Sequence, residues 1–507
     1  MKADTQSVVP KHAAAVILLR PNTNPGDPEI FWVKRSEKMS FLGGFHAFPG
    51  GQFEDFDAAV PVLNCTDRET QTAISCAARE LFEELGVLVT QDGNLLTKGQ
   101  RLSLLDELQS GRMRWPALLN HFCLSLDAHD FAFVGRWLTP PFSARRFDTW
   151  FFLVTCPVKQ QPEITSGELS FGEWTTATKA LHQWHNSEIL AVPPTLHALK
   201  TLAAGLTPDL NSRFLSIPQA HGEPVRQIEF RPGYICFPVR SPTRPPATHT
   251  NCYLVYSSRE ILIIDPGSPY ADEQKALNTT IDELAAEGRI IRAIVLTHLH
   301  PDHVGGVAAL KRHFGIEVPV AAHRLTAEAL RGTITIEHLI DDSEIIKLAG
   351  SPGRELTAIH TPGHARGHLC FYEERTGTLI SGDNILGLGS VLIDPPEGNM
   401  RDYLGSLERL GALRNLTVIF GGHGPAIGNP RARINEYISH RLEREQNILL
   451  AIRAGVGIPK EIVARVYTDV SPKVHALAER AVLAHLEKLQ EDGLVKEVKG
   501  VWLVNGE

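Results

Sequence analysis

Apolar residues along the chain fall into short runs of strand length, broken by stretches with a helical period. The first run, Ala13 to Leu19, is followed by a second, Ile30 to Lys34. From Thr72 to Leu85 small and apolar side chains recur at three- and four-residue intervals, which predicts a helix, and Gly86 supplies the residue that ends it. Strand-like runs return at Phe131 to Leu138 and Thr149 to Cys156, so the chain to about residue 205 reads as mixed α+β. Periodicity then lapses between 206 and 224, where Pro208, Pro218 and Pro224 predict a linker. From 225 to 430 strands (Asn251 to Val255, Glu260 to Ile264, Arg292 to Thr297) alternate with helical patterns such as Asp272 to Glu287. The proline-rich stretch Ser241 to Thr250 lies between strands and reads as a long loop of this segment. Residues 431–507 hold three helical patterns (Ile434 to Ala454, Pro459 to Tyr467, Val474 to Glu491). A hairpin follows, Leu494 to Val504, turning at Lys499-Gly500.

At 507 residues the chain exceeds what one core supports, and 43% hydrophobic with 21% charged residues is a globular composition. A net charge of -8 argues against a generally basic nucleic-acid binder. The 7 cysteines form no C-x-x-C pair, which predicts reduced thiols and a cytoplasmic protein. No apolar run approaches the ~18 residues a membrane span needs, and Met1 to Leu19 lacks a signal-peptide pattern.

The densest chemistry is Thr297-His298-Leu299-His300-Pro301-Asp302-His303, placed directly after an apolar strand. Four imidazole and carboxylate groups within six positions are zinc-type ligands that leave coordination places for water. His364 (in Thr361-Pro362-Gly363-His364), Asp383 (in Ser381-Gly382-Asp383) and His423 (in Gly421-Gly422-His423) each follow an apolar run in a Gly- or Pro-bearing turn. Seven ligands suit two metal ions sharing one carboxylate.

These motifs, in this order, resemble the metallo-β-lactamase superfamily over about two hundred residues. The resemblance implies that His298, His300 and His364 hold one Zn²⁺, that Asp302, His303 and His423 hold the other, and that Asp383 bridges them. It gives Asp265, in Ile264-Asp265-Pro266-Gly267, a supporting place behind the ligands. Two such metals activate water for attack on a carbonyl or phosphoryl centre, with Asp302 also orienting the nucleophile. His368 is either a proton donor that meets substrate or a structural residue; His323 reads as structural. Asp302 and Asp383 place the set nearer glyoxalase II and the RNA-processing nucleases than the antibiotic-hydrolysing enzymes. The final segment has the element order of a winged helix. Tyr437 to Arg441 and Ala484 to Leu489 resemble the tail of mitochondrial β-lactamase-like endoribonucleases. Its twelve Lys/Arg against eleven Asp/Glu are too balanced for strong RNA binding, so packing or a substrate lid is an equal expectation.

Arg79-Glu80-Leu81-Phe82-Glu83-Glu84-Leu85-Gly86-Val87 matches the second half of the Nudix box. Helical spacing puts Glu80, Glu83 and Glu84 on one face, where three carboxylates suit Mg²⁺ or Mn²⁺ on a diphosphate, with Glu83 as catalytic candidate. Phe48-Pro49-Gly50-Gly51 stands where the box's loop belongs, but standard spacing would put its first glutamate at Gln71. An insertion therefore lengthens the loop, with Glu54 as the candidate replacement. Arg136 to Pro140 and Arg145 to Thr149 resemble the Nudix subgroup that cleaves coenzyme A.

The sequence thus predicts a multidomain α/β and α+β chain: Nudix α/β/α sandwich (1–205), metallo-β-lactamase αββα sandwich (225–430) and C-terminal winged helix (431–507). The expected activity is metal-dependent hydrolysis of a small-molecule thioester or ester, with acyl-coenzyme A the substrate the Nudix half suggests. Single-stranded RNA is the alternative substrate. A Nudix half that senses a ligand without cleaving it is the non-catalytic alternative.

Overall fold

A computed structural model describes residues 8–505 except Ser40, 92–95, Ala144, 469–470 and 472–473. The chain forms two compact units, one reaching to Pro232 and one beginning at Gly233.

In the first unit the run from Ala13 is the centre of a mixed sheet. Strand Lys11–Leu19 lies parallel to Phe147–Thr155 and antiparallel to Glu29–Arg35 and Gly50–Gln52. Ala132–Leu138 extends the sheet beyond Phe147–Thr155. Val16, Leu18, Phe31 and Phe152 face helix Arg68–Leu85, which buries Ala73, Ala77, Leu81 and Phe82 against them. Asp67 caps that helix by accepting the Thr70 N–H, and Gly86 ends it at φ 65°, a left-handed turn costly for a residue with Cβ. The stretch 206–224 is more ordered than its lapse in periodicity implies. It carries helix Leu210–Phe214, with Phe214 buried and Arg213 donating to the Thr201 carbonyl at 2.7 Å. Five residues are too few to show a 3.6-residue period.

The second unit is an αββα sandwich followed by the winged helix. Its first sheet runs Tyr234–Arg240, His249–Tyr256, Glu260–Ile264, Ile290–Val295, Val320–Ala322, His338–Leu339, and its second runs Ile345–Leu348, Arg354–His360, Leu369–Glu373, Thr378–Gly382, Val418–Gly421. Tyr253 stacks on Phe420 across the sheets at 5.7 Å. Helices Ala271–Ala286 and Val307–Phe314 cover the outer face of the first sheet, with Leu277, Ile281 and Leu310 in its core. Met400–Gly411 and the start of Pro430–Arg453 cover the second, burying Tyr403, Leu407 and Ile434. The winged helix packs Ile452, Ile462, Val482, Leu486 and Trp502 around a separate core. Its hairpin, Val495–Val498 with Val501–Val504, turns on Lys499 and Gly500, both at positive φ as a two-residue turn requires.

Candidate functional site

The seven expected ligands meet in one place, four just beyond the ends of sandwich strands, with His300 capping and Asp302 and His303 on the short helix Pro301–Val304 that follows His298. His298 comes three residues after strand Ile290–Val295, His364 after Arg354–His360, Asp383 after Thr378–Gly382 and His423 after Val418–Gly421. His300 Nδ1 lies 2.9 Å from His298 Nε2 and 3.0 Å from His364 Nε2, so three ring nitrogens converge. Asp302, His303 and His423 form a second cluster whose ligand atoms all lie within 4.8 Å of one another. Asp383 stands between the two, with Oδ1 3.2 Å from His303 Nε2, and Oδ2 3.3 Å from His423 Nε2 and 3.8 Å from His364 Nε2.

The outer partners of these rings decide which nitrogen faces inward. His364 Nδ1 donates to the Leu392 carbonyl and His423 Nδ1 to the His249 carbonyl, both at 2.8 Å. A carbonyl only accepts, so in the neutral rings both Nε2 atoms present a lone pair to the site, that of His423 with Thr243 Oγ1 3.4 Å away. Asp265, buried at φ 52°, accepts the Thr297 N–H, the Thr297 hydroxyl and the His303 Nδ1–H. Thr297 has spent its proton on Asp265, so its Oγ1 accepts from His298 Nδ1 at 2.9 Å, which frees His298 Nε2. Asp265, His298 and His303 also lie within ligand distance of one another, but Asp265's oxygens are occupied by these donors and it serves the rings from behind. Buried His303 Nε2 and Asp383 Oδ1, 3.2 Å apart, make no well-formed hydrogen bond, and with the ring neutral both would offer lone pairs to a shared cation. Burial alone would lower the His303 pKa, yet Asp383 and Asp265 outweigh it and raise it well above the usual value; the pocket favours positive charge.

His368 is fully buried beneath this cluster. Asp383 N–H donates to its Nε2 at 3.2 Å, so its Nδ1 donates to Thr361 Oγ1 at 2.9 Å. Burial and neighbouring His364 push its pKa well down, and both nitrogens are bonded within the protein. A Cβ on Gly382, at φ 46°, would meet His368 Nε2 at 2.7 Å, so a side chain there would displace the ring. His323 caps helix Arg324–Ala329 and stacks on His360 at 4.2 Å.

In the first unit the three glutamates do not converge as the seven ligands do. Arg79 Nη1 donates to Glu80 at 2.7 Å and to Glu83 at 2.9 Å, while Glu84 accepts the Gly50 N–H at 3.0 Å. Burial raises Glu80 to about 7, with Glu83 adding to it, and raises Glu84 to about 8, with Glu80 adding to that. Glu80's carboxylate lies against Gly51, where any Cβ would overlap it. The insertion brings two acids to the box, Asp57 and Glu54. Buried Asp57 accepts from Arg79 Nε at 3.2 Å and Nη2 at 2.9 Å, and from Ser75 Oγ at 3.1 Å. Glu54 donates its N–H to Asp57 at 2.9 Å, and its charge adds to the upward push on the Glu83 pKa, behind burial. Sequence reasoning did not single out Asp57, because the insertion removes the fixed spacing that would have pointed to it.

Comparison with known proteins follows this division. Residues 245–423 match the family described as "Metallo-beta-lactamase superfamily", 459–502 the "Beta-lactamase associated winged helix domain", and 68–202 the "NUDT19 Nudix domain". The "Beta-lactamase-like protein 2 homolog" of Caenorhabditis elegans is 30% identical over 248 residues, 49% of this chain and 80% of that protein. The chain belongs to the metallo-beta-lactamase superfamily. A second relative, the "Atrochrysone carboxyl ACP thioesterase" of Passalora fulva, is 31% identical over 258 residues, 48% of this chain and 72% of that protein. Among solved structures, a metallo-beta-lactamase family protein of Thermus thermophilus is 26% identical (TM-score 0.44), covering 54% of this chain and 99% of its own. A Nudix hydrolase of Alicyclobacillus acidocaldarius is 30% identical (TM-score 0.36), covering 40% and 95%. As a metallo-beta-lactamase superfamily member with a Nudix domain, the chain is a hydrolase. Among the described residues no helix is long and apolar enough to cross a membrane.

Proposed function

We propose that the seven-ligand centre hydrolyses a thioester or related ester of a small molecule, acyl-coenzyme A being the class that suits the whole chain. The observation that carries the hydrolytic part is the convergence of the His298, His300 and His364 ring nitrogens beside Asp302, His303 and His423, with Asp383 between. The thioester is supported by a relative named as a thioesterase and by the charge-balanced winged helix. Two divalent cations bound there, zinc by the character of these ligands, would supply an activated nucleophile from water and positive charge to steady the transition state. The protein's part is positional. Asp265 fixes His303 directly and His298 through Thr297, His368 holds the Asp383 backbone, and Asp302 orients the nucleophile.

The Nudix half is read as a Mg²⁺- or Mn²⁺-dependent hydrolase of a coenzyme A-type nucleoside diphosphate. Glu80, Glu83 and Glu84 are its ligands, Glu83 its catalytic carboxylate, and Asp57-Arg79 the clamp that orients two of them. Raised glutamate pKa values show how poorly the unaided pocket tolerates three negative charges, a cost a cation relieves.

The purified chain, assayed against acyl-coenzyme A esters, other thioesters and single-stranded RNA with zinc and magnesium varied, tests the reading. Thioester cleavage that disappears in His298→Ala is the expected result. Cleavage of RNA with every thioester untouched would replace the reading with the endoribonuclease.

A further inference from the structure

The chain after Asp383 makes a loop before helix Met400–Gly411, and Leu392 in that loop accepts the His364 Nδ1–H at 2.8 Å. Nothing in the loop's own backbone ladder holds Leu392, because residues 383–399 belong to no strand. Its supports come from the C-terminal helices. On helix Pro430–Arg453, buried Arg441 donates through Nη2 to the Val391 carbonyl and, at 3.2 Å, to Ser390 Oγ. Arg433 and Tyr437 of the same helix bond Leu386, at 3.2 and 3.3 Å. On helix His475–Glu491, Arg480 donates to Asp394 Oδ1 at 2.5 Å and to the Pro395 carbonyl. The loop is thus gripped at 390–391, directly before Leu392, and at 394–395, two residues beyond it.

We infer that the C-terminal helices brace the metal centre: Arg441 and Arg480 are positioning residues that fix Leu392, and through it the ring of His364. The inference rests on the reading of His364 as a ligand. Its physical basis is that a ligand imidazole is oriented by the acceptor on its outer nitrogen, and a carbonyl can do this only if its own backbone is held. Arg441 suits the task, since its bonds go to a carbonyl and a hydroxyl and its guanidinium lies 5.5 Å from the Tyr403 ring centre. The bonds of Arg480 would then be spent inside the protein, and the winged helix would serve the hydrolase it follows.

The test is Co²⁺ titration of the full-length protein by absorption spectroscopy, with chelator competition, in wild type, Arg480→Ala, Arg480→Lys and Arg441→Met/Arg480→Ala. Wild type should take up about two ions. The double variant should weaken one of them about 10- to 100-fold, the loss expected when a ligand's outer partner is disturbed. Arg480→Lys should recover part of the affinity that Arg480→Ala loses. If the double variant's unfolding midpoint falls below that of Arg480→Ala, the two Arg480 single variants alone decide. Two ions held with wild-type affinity in every variant overturns the brace and leaves the centre's assignment intact; fewer than two on wild type removes both. Loss of binding to a single-stranded RNA oligonucleotide with Co²⁺ affinity unchanged also overturns it.

Discussion

Asp265 shows how much one side chain can organise. It takes the Thr297 backbone N–H, the Thr297 hydroxyl and the His303 ring, so two of the converging imidazoles depend on a single buried carboxylate. The seven converging residues and Asp265 were legible because each stands in a short motif after an apolar run. The acceptors behind His364 and His423 were not, since a backbone carbonyl at Leu392 or His249 has no signature in the residue type. Asp302→Ala is expected to lower turnover by roughly two orders of magnitude, the scale of losing a positioned catalytic group; steady-state kinetics on the active thioester checks this, and full activity removes Asp302 from the mechanism. His368→Leu leaves the Asp383 N–H unpaired and is expected to weaken metal binding by about tenfold or more. Loss of one limb of the pH–rate profile with metal affinity intact would return His368 to the role of proton donor.

Among elements, long apolar runs and strong helical periods were read to within a few residues. Glu260–Ile264 has the expected bounds, and helix Arg68–Leu85 only starts four residues earlier, at its Asp67 cap. Short elements escaped: helix Leu210–Phe214 lies where a linker was expected. Side-chain networks that tie one sheet to another are also silent in a linear pattern. Buried Glu373 accepts from Arg354 at 3.0 Å, from Thr376 at 2.6 Å and from Tyr234 of the other sheet at 2.8 Å. Arg354 in turn lies over the Tyr234 ring, 4.7 Å from its centre. Removing the acid strands a buried guanidinium, so Glu373→Ala should cost about 3–5 kcal/mol in urea unfolding. A change below about 1 kcal/mol would mean that water reaches Arg354 and the network adds little.

For the whole molecule, two hydrolase families in one chain predict two separable activities. Glu83→Gln is expected to abolish Mg²⁺-dependent cleavage of coenzyme A or another nucleoside diphosphate compound, and to leave thioester hydrolysis at its wild-type rate, because each site has its own ligands. Parallel assays of both reactions on the one variant check this. Wild type that binds such a compound without cleaving it would make the Nudix half a sensor. The box's helix was fully legible, whereas its loop was not, since the insertion hid that Asp57 clamps Arg79. The dinuclear centre on which the account rests is tested most directly by elemental analysis of gently purified protein. About two equivalents of transition metal per chain are expected, falling below one when His298 and His300 are both replaced by alanine. Less than one equivalent on the wild type, or a content unchanged by the double replacement, would contradict it.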